Sequence, residues 1–200
     1  MSRQTEQLLG LVGNAASGKD LVASLFFRRG YLHISASDIV REKIHALGQV
    51  PTRAIQSLVA DEFRQTNGGD YFVKEAISRL SKTEIEGPKL ISGIYSPAEG
   101  SYICDQPNGD LVYIRTDNTS EGIRSLYDRL IKRSDGSRDQ MSFDEFLDSR
   151  TRENSGNENG TNVARLHEMS RFIIVNMPDT TVAELDYQVS EITEQLGVTE

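Results

Sequence analysis

At 200 residues the chain fits one domain, or one domain carrying a small insertion, and its 37% hydrophobic content suffices for a packed core. A formal net charge of −8 excludes a general binder of nucleic-acid polymers, whose phosphate contacts need a basic face, yet leaves room for a mononucleotide held by a few cations. The lone cysteine, Cys104, rules out an internal disulfide framework and a multi-cysteine metal site; no leader and no run of about 18 apolar residues suits a membrane, so a cytoplasmic protein is expected.

The chain begins with an apolar run, Leu8, Leu9, Leu11 and Val12, which reads as a strand. Gly13-Asn14-Ala15-Ala16-Ser17-Gly18-Lys19 follows and satisfies the Walker A pattern G-x-x-x-x-G-K, with Asp20 where Ser or Thr is usual. Leu21, Val22, Leu25 and Phe26 then carry helical spacing. Backbone N–H groups in such a loop wrap a polyphosphate, and the helix start adds its partial positive charge. Lys19 reaches the β- and γ-phosphates. Nucleotide-binding residues are therefore expected from Gly13 to Leu21.

Gly30 closes that helix, and 31–35 reads as a second strand. Ser37 is expected to cap a helix from Asp38 to Leu47 that stops at Gly48. The stretch 51–83 reads as helical. Thr52 opens one piece with Ile55, Leu58, Val59 and Phe63 on a shared face; residues 67–69 break it, and a second piece carries Phe72, Val73, Ala76, Ile77 and Leu80. These helices form an insertion between strands two and three. Residues 88–95 are the third strand, and Ser96, Pro97 and Glu99 supply an N-cap, a first-turn proline and a capping-box glutamate. The fourth strand, 110–116, feeds a long helix with Ile123, Leu126, Tyr127, Leu130 and Ile131 on one stripe. An exposed loop is expected at 134–140, then a helix opened by Ser142 and Glu145 with Phe143, Phe146 and Leu147. A second loop covers 154–162. A short helix precedes the fifth strand at 172–177, and Thr181 with Glu184 opens a last helix whose stripe is Val182, Leu185, Val189, Ile192 and Leu196. This alternation predicts an α/β fold with about five mostly parallel strands and helices on both faces.

Asp38 and Arg41 are three apart, on one helix face at the carboxyl edge of the sheet, where open α/β folds bind ligands. Arg41 can offer a planar fork to a phosphate, or simply pair with Asp38 at the surface. Arg129 and Arg133 share a face at i, i+4, and Arg150 and Arg152 follow beyond the loop. Arginines around such a segment suit phosphoryl transfer, where charge on the equatorial oxygens must be clamped. They equally suit a solvated helix with pairs such as Arg124–Asp128. His33, His45 and His167 lack spaced partners, and Cys104 reads as a buried or partly buried spacer. Tyr95 can stack on a base or pack in the core.

The Walker-type loop, Ser35-Ala36-Ser37-Asp38-Ile39-Val40-Arg41 after strand two and the late arginines together resemble the nucleoside monophosphate kinases. The second of these is similar to the adenylate kinase pattern S-T-G-D-x-x-R. The stretches 38–42, 48–52, 93–99 and 174–176 resemble, in turn, adenylate-kinase-like and dephospho-CoA-kinase-like P-loop proteins of archaea and some bacteria. The resemblance covers nearly the whole chain. It implies a single kinase-like domain over 1–200 with a three-layer P-loop NTPase fold, a helical acceptor-binding insertion at about 38–83 and a short lid at about 134–150. It also implies ATP and Mg²⁺ as cofactors and a small phosphorylated acceptor, a nucleoside monophosphate above all. Lys19, Arg129 and Arg133 would be catalytic, Asp38, Arg41 and Tyr95 would bind the acceptor, and Asp20 would help to hold Mg²⁺, as a hard carboxylate can. G-K-D also occurs in phage deoxynucleoside monophosphate kinases and animal phosphomevalonate kinases.

Relatives carry an acid and an arginine, D-G-x-x-R, where this chain has Ser92-Gly93-Ile94-Tyr95. Dephospho-CoA kinases carry D-A-D after strand two, and Ser35-Ala36-Ser37 lacks both acids. A hydroxyl acceptor gains from a general base there, whereas a phosphate acceptor is already ionised. A hydroxyl-directed kinase and a nucleotide-binding protein with little turnover stand as alternatives. Oligomeric state is left open.

Overall fold

The computed structural model describes residues 7–133, 141–156, 158 and 160–198, with Arg133 described by its backbone alone. Five strands form one sheet in the order β2-β3-β1-β4-β5: β1 (Leu8–Val12), β2 (Leu32–Ser35), β3 (Lys89–Ile94), β4 (Gly109–Arg115) and β5 (Phe172–Val175). Each neighbouring pair is parallel. β1 is central, and every residue in it is buried, as a strand covered on both faces requires. The order reverses around β1, so the loop after it opens into the crevice at the carboxyl ends of the strands.

Helices fill both faces. Leu8, Val12, Ile91, Ile94 and Leu111 face one way, against Ile39 of α2 (Ala36–Ala46), Phe72 of α4 (Tyr71–Ser81), Ile103 of α5 (Pro97–Cys104) and Leu166 of α8 (Val163–Met169). Leu9, Leu11, Leu90, Val112 and Ile174 face the other way, against Val22, Leu25 and Phe26 of α1 (Lys19–Arg28) and Leu185, Val189 and Ile192 of α9 (Val182–Gln195). The period-two alternation along β1 thus divides the core into two layers. A third, smaller cluster joins Leu126 and Leu130 of α6 (Ser120–Arg133) and Phe146 of α7 (Phe143–Glu153) to Ala15 of the glycine loop. Among the described residues no helix is long and apolar enough to cross a membrane.

The segment between β2 and β3 holds α2, α3 (Arg53–Asn67) and α4, with Gly68 closing α3. Three capping boxes form where the spacing predicts them, at Ser96/Glu99, Ser142/Glu145 and Thr181/Glu184. Several expectations are corrected. β2 runs straight into α2, so the N-cap is Ser35 and Ser37 lies inside the helix. Leu58 is exposed, because the buried stripe of α3 is rotated toward Val59, Ala60 and Arg64. Leu21, Ile131 and Val182 stand at the solvent edges of their helices, and Cys104 is exposed at the end of α5. The loop expected at 134–140 lies outside the described residues, whereas the rest of the stretch expected as a lid, up to Arg150, includes most of α7.

β3 carries one irregularity that shapes the site. Its register with β1 passes from Leu11–Ser92 to Val12–Ile94, skipping Gly93. Gly93 has φ +77°, and a Cβ there would come 2.6 Å from Ser37 Oγ. Only glycine permits both the left-handed bulge and the close approach of α2.

Candidate active site

The glycine loop runs from the end of β1 into α1. Ala16 and Gly18 adopt positive φ, Ser17 N–H donates to the Asn14 carbonyl at 3.2 Å, and Val22 N–H to that of Gly18 at 3.1 Å. Asn176, just past β5, donates from Nδ2 to the Ser17 carbonyl at 2.8 Å. A Cβ on Gly18 would lie 2.5 Å from that Asn176 nitrogen, so the glycine and the lock require each other. Ser17 Oγ is buried without a hydrogen-bond partner. Lys19 Nζ folds over the loop, donating to the Gly13 and Asn14 carbonyls at 2.7 and 2.8 Å, and lies 5.5 Å from the centre of the Tyr95 ring.

An anion already sits on the loop. Glu153, the last residue of α7, accepts hydrogen bonds at one carboxylate oxygen from Ala15 N–H at 3.1 Å and Asn14 Nδ2 at 3.2 Å. The loop thus fits a negatively charged group in its amides, as a phosphate-binding turn should. Asp20 opens α1 and is exposed; its charge acts on His33, whose ring is pulled below its usual pKa by burial and partly restored by Asp20. His33 Nε2 is 2.9 Å from Ser92 Oγ, so the buried Ser92 has a partner on the neighbouring strand. Among the described residues no cluster of three or more His, Cys, Asp or Glu side chains converges. Asp20, a hard carboxylate in the first turn of α1, is the residue beside the loop that would hold a divalent ion.

Beside the loop opens a cavity of about 720 Å³, walled by α2, α3, the end of β3 and α7. Ser37, Gly93 and Tyr95 line it, together with three arginines, Arg53, Arg64 and Arg152. Arg64 is buried and donates from Nε to Glu99 Oε1 at 3.1 Å, while Asp61 lies 3.4 Å from its Nη1. Burial lifts the Asp61 carboxyl above its ordinary range, against the pull of Arg64. Glu99 in turn accepts from the backbone N–H groups of Tyr95 and Ser96 at 2.9 and 3.1 Å. The pair thereby ties α3 to the strand end that presents Tyr95.

Asp38 and Arg41 do not line this cavity; they pair with each other along α2. Arg129 lines a different cleft, of about 440 Å³, with Gly18, Leu21, Leu130, Asn176 and Pro178, and donates to the Met177 carbonyl at 3.1 Å. The side chain of Arg133 lies outside the described residues. Among the described side chains of the late arginines, Arg150 is the buried one. Its Nη2 donates to Asn118 Oδ1 at 2.9 Å, its Nη1 has no partner, and burial lowers its pKa against the raising effects of Glu153 and Tyr113. Sequence spacing missed Arg53, Arg64 and Glu153. The one available signal was Arg64 itself, a cation set beside Phe63 on an otherwise apolar stripe.

A parallel sheet in the order 2-3-1-4-5, with a G-x-x-x-x-G-K loop between β1 and α1 and helices on both faces, is the three-layer P-loop NTPase fold. No family model matches the chain. It is similar to three archaeal proteins called UPF0200 proteins. That of Methanothrix thermoacetophila is 30% identical over 96 residues, 48% of this chain and 51% of that protein, so the chain spans about half its length. Those of Pyrobaculum aerophilum and Pyrococcus horikoshii match nearly end to end: 29% identical over 94% of this chain and 98% of that protein, and 26% over 93% and 95%. Among solved structures, TT1252 from Thermus thermophilus superposes with a TM-score of 0.63 at 16% identity, covering 96% of this chain and 98% of that one. A gluconokinase from Sinorhizobium meliloti gives 0.55 at 13% identity over 97% of each chain, and a shikimate kinase from Bacteroides thetaiotaomicron 0.54 at 15% over 96% and 98%. These likenesses establish a P-loop kinase-like fold.

Proposed function

We propose that the chain transfers the terminal phosphoryl group of ATP to a small phosphorylated acceptor, a nucleoside monophosphate above all. The observation that carries this reading is the arginine-lined cavity beside the glycine loop, whose lining includes Arg53 and Arg64 of α3 and Arg152 of α7. An acceptor phosphate is the chemistry such a wall recognises. The names of the two structural neighbours, gluconokinase and shikimate kinase, agree with phosphoryl transfer in general.

In this scheme the amides of residues 13–19 and Lys19 hold the donor phosphates. Mg²⁺ held near Asp20 would neutralise charge on the β- and γ-oxygens. An oxygen of the ionised acceptor phosphate attacks the γ-phosphorus, and the bond to the β–γ bridging oxygen breaks. Arg150, buried with one N–H side unpartnered, is the cation suited to the transferring group. Arg129 lines the cleft beside Gly18 and Leu21, which suits it to the donor's side of the reaction. Tyr95, between Lys19 and the cavity, holds the acceptor against the donor; Arg133 stays a candidate by spacing, and Asp38 with Arg41 would reach the acceptor only by breaking their mutual pair. The domain reading, with its acceptor-binding insertion and short lid, belongs to the same proposal.

The test is an ADP-release assay over nucleoside monophosphates and dephospho-CoA. We expect at least one phosphorylated acceptor to raise turnover above basal hydrolysis, and Lys19→Ala to abolish it. ATP binding with no acceptor-dependent turnover would overturn the kinase reading. Unchanged affinity in Lys19→Ala would overturn the loop assignment.

A further inference from the structure

Glu153 stands 138 residues from Ala15 in sequence, yet its carboxylate rests on that residue's amide. Its own helix does not favour it there. Glu153 is the last residue of α7, where the helix dipole is negative and a carboxylate is repelled. The Asn14 side chain and the Ala15 N–H, together with the Ala15–Phe146 apolar cluster, are what hold the end of α7 against the loop. One turn earlier, Arg150 is buried with an unpartnered Nη1. A single helix thus carries the anion that rests on the loop amide and, one turn earlier, a buried cation held by Asn118.

A carboxylate and a phosphate oxygen cannot share one amide, since two like charges about 3 Å apart repel strongly. Glu153 also lines the acceptor cavity, with Glu145, Ser149 and Arg152 of the same helix. Whatever moves Glu153 off the loop therefore changes the acceptor wall. We propose that Glu153 is an internal competitor for the donor phosphates: its carboxylate and the nucleotide take the Ala15 amide in turn, so that donor binding releases the end of α7 and reshapes the acceptor cavity. This rests on the reading of the glycine loop as the donor site.

Titration calorimetry with ADP, on the intact chain, tests it. Glu153→Gln removes the negative charge at nearly constant shape, and ADP is expected to bind roughly ten-fold more tightly, the scale of a charge-assisted hydrogen bond no longer in competition. Glu153→Asp keeps the charge but shortens the arm by one methylene, and should also bind ADP more tightly than the parent. In hydrogen exchange, ADP should expose amides of 143–153 in the parent and change them less in Glu153→Gln, a readout independent of affinity. Equal ADP affinity in parent and both variants overturns the competition and leaves the donor assignment standing. Weaker ADP binding in Glu153→Gln overturns it too, by making Glu153 a ligand of the donor. If the parent does not bind ADP at all, the donor assignment fails and this proposal with it.

Discussion

Glu99→Gln probes the tie between the arginine-lined cavity and the sheet. The carboxylate is fully buried and accepts from four donors: Tyr95 N–H at 2.9 Å, Ser96 N–H at 3.1 Å, and Arg64 through Nε at 3.1 Å and Nη2 at 3.4 Å. An amide can accept on one side only, so its NH₂ must face either two backbone donors or a guanidinium. Removing one partner of a buried ion pair costs about 3 to 5 kcal/mol. Asp61, half in solvent and 3.4 Å from Arg64, retains part of the balance. We therefore expect a loss near the lower figure, about 3 kcal/mol, and a fall in Tm of about 6 to 12 °C for a domain of this size. Urea unfolding with matched m-values is the assay. Two controls sit in the same molecule: Glu145 and Glu184 occupy the same position in capping boxes at exposed helix starts. Glu145→Gln and Glu184→Gln should move the midpoint far less. A loss under about 1 kcal/mol for Glu99→Gln, or controls that match it, would refute the assignment of the cost to burial.

Arg150→Lys keeps the charge but loses the planar fork, and should lower acceptor-dependent kcat by about 100-fold while leaving ADP affinity nearly unchanged; turnover within about two-fold of the parent would remove Arg150 from the transferring group. Tyr31 is buried with its hydroxyl unpartnered, packed edge-on against Phe26 with ring centres 5.1 Å apart. Tyr31→Phe removes an unsatisfied polar atom at constant shape, so thermal unfolding should show no loss and a gain of up to about 1 kcal/mol. A loss of that size would mean the hydroxyl is hydrogen-bonded in solution.

The parts of this molecule that were legible in the sequence are those whose physics is local. The glycine loop, its flanking strand and helix, and all three capping boxes are set by spacings of seven residues or fewer, and they form as the pattern predicts. The strand alternation along Leu8 to Val12 likewise reads directly onto the two core layers. What stayed hidden depends on partners far apart in the chain. Glu153 meets Ala15, Ser92 meets His33, and Arg64 meets Glu99 only because the fold brings α7 to the glycine loop, β2 to β3 and α3 to α5. Arg41 is a different case. Its spacing from Asp38 suits both a ligand clamp and an ion pair, and the structure holds the pair. Gly93 is a further case: the Ser92-Gly93-Ile94-Tyr95 stretch read as missing an acid and an arginine, whereas it builds a bulge that aims Tyr95 at the cavity.

The outer strands of the sheet, β2 and β5, are four residues each, about 13 Å of backbone. An unpaired strand edge is a template on which a second chain can add by main-chain hydrogen bonds, and short length is one defence against this. β2 is cut off by α2 at the next residue, and the start of β5 is marked by Arg171, paired to Asp110. Ile173 is nonetheless exposed on β5, so an apolar residue lies on a border whose safety depends on brevity. Lengthening either border by a few β-prone residues would offer a longer docking rail to other chains, and resistance to aggregation would be lost before any change at the glycine-loop end of the sheet.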